Sequence, residues 1–233
     1  MSIFSYESKF SRVFLRIADA CFLNILWFVC SLPIFTIGAS TTALYSVTLK
    51  IAENREGNVR KQFFEAFKRE FKQATVLWLI LLAIGIVLFG DIYVLRHLLN
   101  TSSGPFAIML TIILAIIIAA CIVYTVEVMY VFPLLSRVAN TNRAMMINSL
   151  LIGLRYLACT ISVFAIHFVM GVIAIRFFTP ILVLGEGLCA LLSSYLMAPV
   201  FRTVTALQER SDAEQAAQQT TTAESDNDAE DRS

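Results

Sequence analysis

Val59-Arg60-Lys61-Gln62-Phe63-Phe64-Glu65-Ala66-Phe67-Lys68-Arg69-Glu70-Phe71-Lys72-Gln73 runs directly into Ala74-Thr75-Val76-Leu77-Trp78 and an apolar stretch ending at Leu95. In the first part Val59, Phe63, Phe67 and Phe71 recur every fourth residue, so a helix shows them on one face, with Phe64 beside them. Arg60, Lys61, Lys68, Arg69 and Lys72 fall mostly on the remaining surface. An aromatic face opposite a basic one predicts an amphipathic helix over 59–73 lying in the headgroup layer of a membrane. The second part predicts a helix that crosses it. Between Ala74 and Leu95 the one charge is Asp91, among fourteen Leu, Ile, Val or Phe residues. On the insertion scale these contribute roughly −4 to −8 kcal/mol against roughly +3 kcal/mol for one Asp, so insertion wins.

The rest of the chain follows the same logic. A mean hydropathy of +0.75, with 58% hydrophobic and 15% charged residues, excludes an ordinary soluble domain. Apolar runs at 106–132, 157–176 and 180–201 join 74–95, and the reading is an all-α polytopic membrane protein of five to six hydrophobic segments plus the interfacial helix. Residues 17–50 are apolar too, but a straight helix of that length measures about 50 Å against a hydrocarbon core of about 30 Å. Pro33 sits near the middle, ahead of Gly38-Ala39-Ser40-Thr41-Thr42-Ala43, and marks a helix break. Two arrangements fit: a single tilted, kinked span, or a hairpin of segments 17–32 and 35–50.

Charge favours the hairpin. Lys50, Arg55, Arg60, Lys61, Lys68, Arg69 and Lys72 make the 50–73 loop basic, hence cytoplasmic, and Arg137, Arg143 and Arg155 mark a second inside loop. Thr101–Pro105 and Phe177–Thr179 carry almost no charge, as outside turns should. Only the hairpin keeps Lys9, Arg12 and Arg16 on the basic side. From Leu207 onward Arg210 and Arg232 face eight acidic residues, a net of −6, which leaves +7 on the remainder of a chain whose total is +1. Residues 1–205 therefore read as the membrane domain and 206–233 as a disordered acidic tail on the cytoplasmic side, too polar to bury a core. The basic body implies anionic lipid as a partner and no nucleic acid, since no soluble segment interleaves basic and stacking residues.

Proline and polar turns punctuate the remaining spans. Ser102-Ser103-Gly104-Pro105 and Thr179-Pro180 each open a helix, Pro133 closes the one begun at Phe106, and Ala139-Asn140-Thr141-Asn142-Arg143 opens a weakly amphipathic segment reaching Tyr156. Apolar span, polar turn, amphipathic segment and apolar span thus occur twice, as a parallel two-fold repeat would give.

Ionisable residues inside spans are the candidates for function, because each is costly there unless paired or wetted. Asp91, near Arg96 and His97, reads as an interfacial residue at the end of its span. Glu127 lies between Tyr124 and Tyr130 at a depth that suits an ion pair with Arg155. His167 and Glu186 carry two readings: a proton-coupled site, or a hydrogen-bonded histidine and a solvated glutamate. Gly38, Ala39, Thr42 and Ala43 form a small-residue surface suited to helix packing. The five cysteines all lie in apolar runs without a Cys-x-x-Cys pair and read as small hydrophobes. With only His97 and His167 present, no multi-histidine metal site is expected, and no nucleotide, zinc-protease or serine-hydrolase motif occurs. No catalytic residue, metal or cofactor is assigned, and the chain is expected not to be an enzyme.

Ser31-Leu32-Pro33-Ile34-Phe35-Thr36-Ile37-Gly38-Ala39-Ser40-Thr41-Thr42-Ala43-Leu44-Tyr45, Phe63-Phe64-Glu65-Ala66-Phe67-Lys68-Arg69-Glu70-Phe71-Lys72-Gln73-Ala74-Thr75, Asn148…Leu154-Arg155 and Ser194-Tyr195 together resemble the YesL family of small bacterial membrane proteins. The resemblance covers most of the chain except its tail, where the family usually ends abruptly. It implies a multi-pass protein of the bacterial plasma membrane with no established activity, and no site residue carries over from it. It also implies company with carbohydrate-uptake systems, so the expected role is an accessory of sugar-import permease subunits. A small transporter or channel in its own right is the alternative.

Overall fold

The structure, a computed structural model, describes residues 9–55, 57–101, 103–177 and 185–207, and none of these is in a strand. Helix α1 (Lys9–Ser31) leads through a 3-10 turn (Ile34–Thr36) into α2 (Ile37–Ala52). Then follow α3 (Val59–Thr101), α4 (Pro105–Leu135), α5 (Asn142–Arg155), α6 (Leu157–Phe177) and α7 (Gly185–Leu207). Among the described residues, five helices are long and apolar enough to cross a membrane, and a sixth span is available if α5 and α6 count as one bent unit. Helices suit that solvent because they satisfy every backbone N–H and C=O internally. The protein is a helical membrane protein.

The chain reverses at Pro33, where the missing N–H ends α1. Thr36 Oγ1 lies 2.6 Å from Cys30 O and 2.7 Å from Pro33 O, and Trp78 Nε1 donates to Ile34 O at 2.8 Å, so carbonyls freed by the break regain partners. Helix α2 then runs back along α1: Trp27 Nε1 donates to Thr41 Oγ1, and Arg16 reaches Asn54. Of the two arrangements open to residues 17–50, the structure has the hairpin.

Helix α2 is the most buried of the candidate spans and packs more extensively on α3 than on α1 or α4. Its composition explains how. Ser40, Thr42 and Thr48 return their hydroxyls to the carbonyls of Thr36, Gly38 and Leu44, which lets polar residues lie buried. Gly38 allows the closest approach: a Cβ there would meet Ala74 O and Trp78 Cβ, each at 2.6 Å. Ala39, Thr42 and Ala43 are fully buried, so the small-residue surface packs helices. Thr48 meets Ser194 of α7 at 2.8 Å, and Gly187 of α7 donates its N–H to Asn24 of α1.

Three expectations need correction. Helix α3 is continuous through Gln73–Ala74 and measures about 64 Å at 1.5 Å per residue, so 59–73 is the first part of α3 and not a separate helix. Its phenylalanine face meets protein: Phe63 is fully buried, and Phe67 and Phe71 pack against the same core. Lys61, Lys68, Arg69 and Lys72 are exposed, as an outward polar face requires. Pro133 does not close α4, which continues to Leu135; it sits in the last turn, where Ser136 caps by donating to Pro133 O. Nor do the two halves repeat. α3 passes straight from its basic part into its apolar part, whereas α5 and α6 bend by 96° at Tyr156, with Thr160 Oγ1 2.7 Å from the Gly153 carbonyl. The Thr179-Pro180 turn, the start of the 180–201 segment and the acidic tail beyond Leu207 lie outside the described residues.

Candidate functional site

The polar end of the bundle is built by the way α2 stops. Asn54 takes a left-handed conformation (φ 56°), which asparagine tolerates better than most residues. Asn54 N–H then bonds Ile51 O at 3.1 Å and Arg55 N–H bonds Lys50 O at 2.8 Å, the doubly bonded helix ending in which a left-handed residue follows the last turn. This ending points Glu53 back into the protein, where its side chain is only 3% exposed.

Three arginines converge on that carboxylate. Arg55 hydrogen-bonds Oε2, Arg137 Nη2 lies 2.9 Å from Oε2, and Arg202 Nε lies 3.5 Å from Oε1. They come from the loop after α2, the loop after α4 and the end of α7. Burial alone would raise the Glu53 carboxyl pKa; the hydrogen bond from Arg55, then the charge and hydrogen bond of Arg137, outweigh it and hold it below the usual carboxylate value. Burial pulls Arg137 below its ordinary value against the pull of Glu53, yet a guanidinium stays protonated throughout. Gln73 Nε2 of α3 donates to Asn140 O at 2.6 Å and ties the same α4–α5 loop from the other side.

Next to this node lies a polar cavity of about 290 Å³, with Ser46, Lys50, Arg69, Glu70 and Arg137 among its lining residues. Arg69 is paired with Glu70. A larger cleft of about 470 Å³ opens between α4 and α6, lined by Ile118, Ile122, Met129, Ile161 and Phe164 with no Asp, Glu, Lys, Arg or His.

The residues singled out inside the spans are scattered. Glu127 is buried, but its Oε1 accepts from Ser149 Oγ of α5 at 2.7 Å, while Arg155 is exposed and the expected ion pair is absent. Glu127 Oε2 is buried without a hydrogen-bond partner. His167 Nε2 stands 4.0 Å from Glu186 Oε1, and His167 Nδ1 lies 2.9 Å from Val163 O. Asp91, Arg96 and His97 are exposed on the far part of α3. The structure brings His167 and Glu186 together; it joins neither of them to Glu127 or Asp91 by any direct bond among the described residues. Among those residues no three His, Cys, Asp or Glu side chains cluster as a metal ion would need.

The Glu53 node escaped the sequence reading, which counted Arg55 and Arg137 only as charges of two inside loops. The available signal was the pairing of a helix-ending Glu-Asn-Arg with a charge directly after a proline-marked helix end at Arg137. Nothing local pointed to Arg202.

Residues 21–92 match a family model described as "Protein of unknown function, DUF624". Over 195 residues the chain is 25% identical to "Uncharacterized protein YesL" of Bacillus subtilis (strain 168), covering 81% of this chain and 88% of that protein. It is 27% identical over 149 residues to "Uncharacterized protein YteU" of the same organism, covering 62% of this chain and 64% of that protein. No solved structure matches.

Proposed function

We propose, from the premise that the chain is a member of the YesL family, that it is a non-catalytic accessory of a carbohydrate-uptake assembly in the bacterial plasma membrane. Its basic end faces the cytoplasm and meets the permease subunits. The observation that carries this reading is the construction of that end. Glu53 gathers arginines from three segments, Gln73 fixes the α4–α5 loop, and Lys61, Lys68 and Lys72 stand exposed on the adjoining stretch of α3. A polar surface held this rigidly suits docking, because little side-chain or loop freedom is lost on association.

Purification of the tagged chain from its native membranes in mild detergent is expected to bring down sugar-permease subunits. Reversing Lys61, Lys68 and Lys72 to Glu should abolish the association while leaving the gel-filtration profile unchanged. Repeated recovery without permease subunits would overturn the proposal. A second reading, transport by the chain itself, is favoured by one observation, the His167–Glu186 approach beside the buried Tyr45. Reconstituted protein that moves no proton, ion or sugar, and is indifferent to Glu186→Gln, would dispose of it.

A further inference from the structure

We propose that the cavity at the basic end is a binding site for a phosphate oxyanion, held by Lys50, Arg69 and Arg137. The inference goes beyond the uptake reading and does not depend on it. Its first ground is charge. Lys50, Arg69 and Arg137 line the cavity with Glu70 as the one lining carboxylate, and Glu70 is already engaged by Arg69. Glu53 pairs with Arg137 from behind, but it is shared with Arg55 and Arg202, so three guanidiniums meet one carboxylate and the node keeps a net positive charge. Lys50 forms no ion pair among the described residues.

The second ground is unmet hydrogen bonding. Arg137 is mostly buried and its Nε has no partner, an unusual position for a charged donor. Glu53 holds the Arg137 guanidinium and Gln73 holds the α4–α5 loop at Asn140, so the guanidinium is presented rather than free to swing. A guanidinium fork matches two oxygens of a phosphate, and a lysine ammonium adds a compact charge with three donors. Ser46 supplies a neutral hydroxyl to the lining. The volume of about 290 Å³ accommodates one tetrahedral anion and its water. The anion has two possible sources of the same chemistry, the headgroup of an anionic phospholipid or a free phosphate from the aqueous side.

The test uses the full chain in a neutral detergent, with thermal unfolding read against orthophosphate and, separately, against phosphatidylglycerol or phosphatidylcholine in mixed micelles. Saturable stabilisation by orthophosphate or by phosphatidylglycerol, but not phosphatidylcholine, is expected. Lys50→Gln should weaken it by roughly tenfold, as loss of one charge-assisted contact does. Arg69→Gln should weaken it similarly, and Lys50→Arg should largely retain it. Lys61→Gln removes an equal charge from the exposed, Glu65-paired part of α3 and should leave the midpoint unchanged. Response to the lipid alone assigns a headgroup site; response to orthophosphate alone assigns a solute site. No response to either, or equal losses in Lys50→Gln and Lys61→Gln, overturns the proposal.

Discussion

The two ends of the α3–α4 pair are held together in opposite ways. At the basic end, residues far apart in the chain are joined by named polar contacts: Glu53 with Arg137 and Arg202, Gln73 with Asn140, Thr48 with Ser194. At the other end α3 runs past the turn met by Trp78 and, with α4, forms an apolar arm. Ile86, Phe89, Tyr93, Ile108, Ile112 and Ile116 are all more than half exposed there. Lipid explains the contrast. Hydrocarbon tails are as apolar as leucine, so the arm gains nothing by hiding its side chains, and association relies on close packing and hydrogen bonds instead. Apolar surface inserts the molecule; small residues and polar contacts decide its shape.

The largest effect should follow from breaking the basic end. Glu53→Gln leaves Arg137 buried beside a neutral amide, and loss of one partner of a buried pair costs roughly 3 kcal/mol. Unfolding of the detergent-solubilised protein measures it. A second change, Arg137→Leu, made on top of Glu53→Gln should return part of that loss, because the stranded charge leaves with it. The pH dependence has a definite sign. Glu53 has a folded pKa below its unfolded one, so its contribution is present above the ordinary carboxylate value and disappears as pH falls through the lower, folded value. The Gln variant should lack that acid limb.

Much of this architecture could be read from residues, and its gaps have physical causes. The hairpin was legible because Pro33 lies near the middle of a run too long for one span. The 59–73 helix was legible as a helix and misplaced in space. An amphipathic pattern states that one face avoids water, not whether lipid or protein covers it, and Phe63 turns out to face the protein core. The Glu127 partner was misassigned for a related reason. Counting residues gives depth but not azimuth, and on α5 it is Ser149 that faces Glu127, while Arg155 lies at the 96° corner and points out. Glu53 and Arg202 meet only through tertiary folding, which no periodicity reports.

The next comparison sets one substitution in both regions. Gly38→Ala puts a Cβ against the Ala74 carbonyl, a backbone atom that cannot step aside, and should cost about 1–3 kcal/mol as overpacking does. Gly90→Ala, on the arm of α3, meets nothing within 4 Å and should be neutral or stabilise by up to about 1 kcal/mol, as removal of a mid-helix glycine does. Opposite signs in thermal unfolding support the contrast; equal losses would mean that the arm is packed as tightly as α2.

Between these regions lies Glu127. Ser149→Ala removes the one hydrogen bond its carboxyl receives and should cost about 1–2 kcal/mol, the range for a buried group left unsatisfied. Glu127→Gln should cost less, because the amide keeps an acceptor for Ser149 and sheds the expense of a buried charge. The reverse order would mean that the ionised form is needed there.

The smallest effect belongs to Asp91, the one acidic residue on the arm. It is exposed and forms no ion pair among the described residues, so Asp91→Asn removes no contact within the chain. Unfolding in detergent should therefore shift by no more than about 0.5 kcal/mol, as for a surface substitution away from any network. In a bilayer the same change tests depth. A carboxylate near the surface is solvated and its replacement is silent, whereas one held in hydrocarbon costs about 2–3 kcal/mol and its removal should favour insertion. Indifference in both media keeps the arm a purely apolar element ending at the surface. A marked loss confined to membranes would instead mean that Asp91 has a partner supplied by another protein, and the arm would join the basic end as a second surface of recognition.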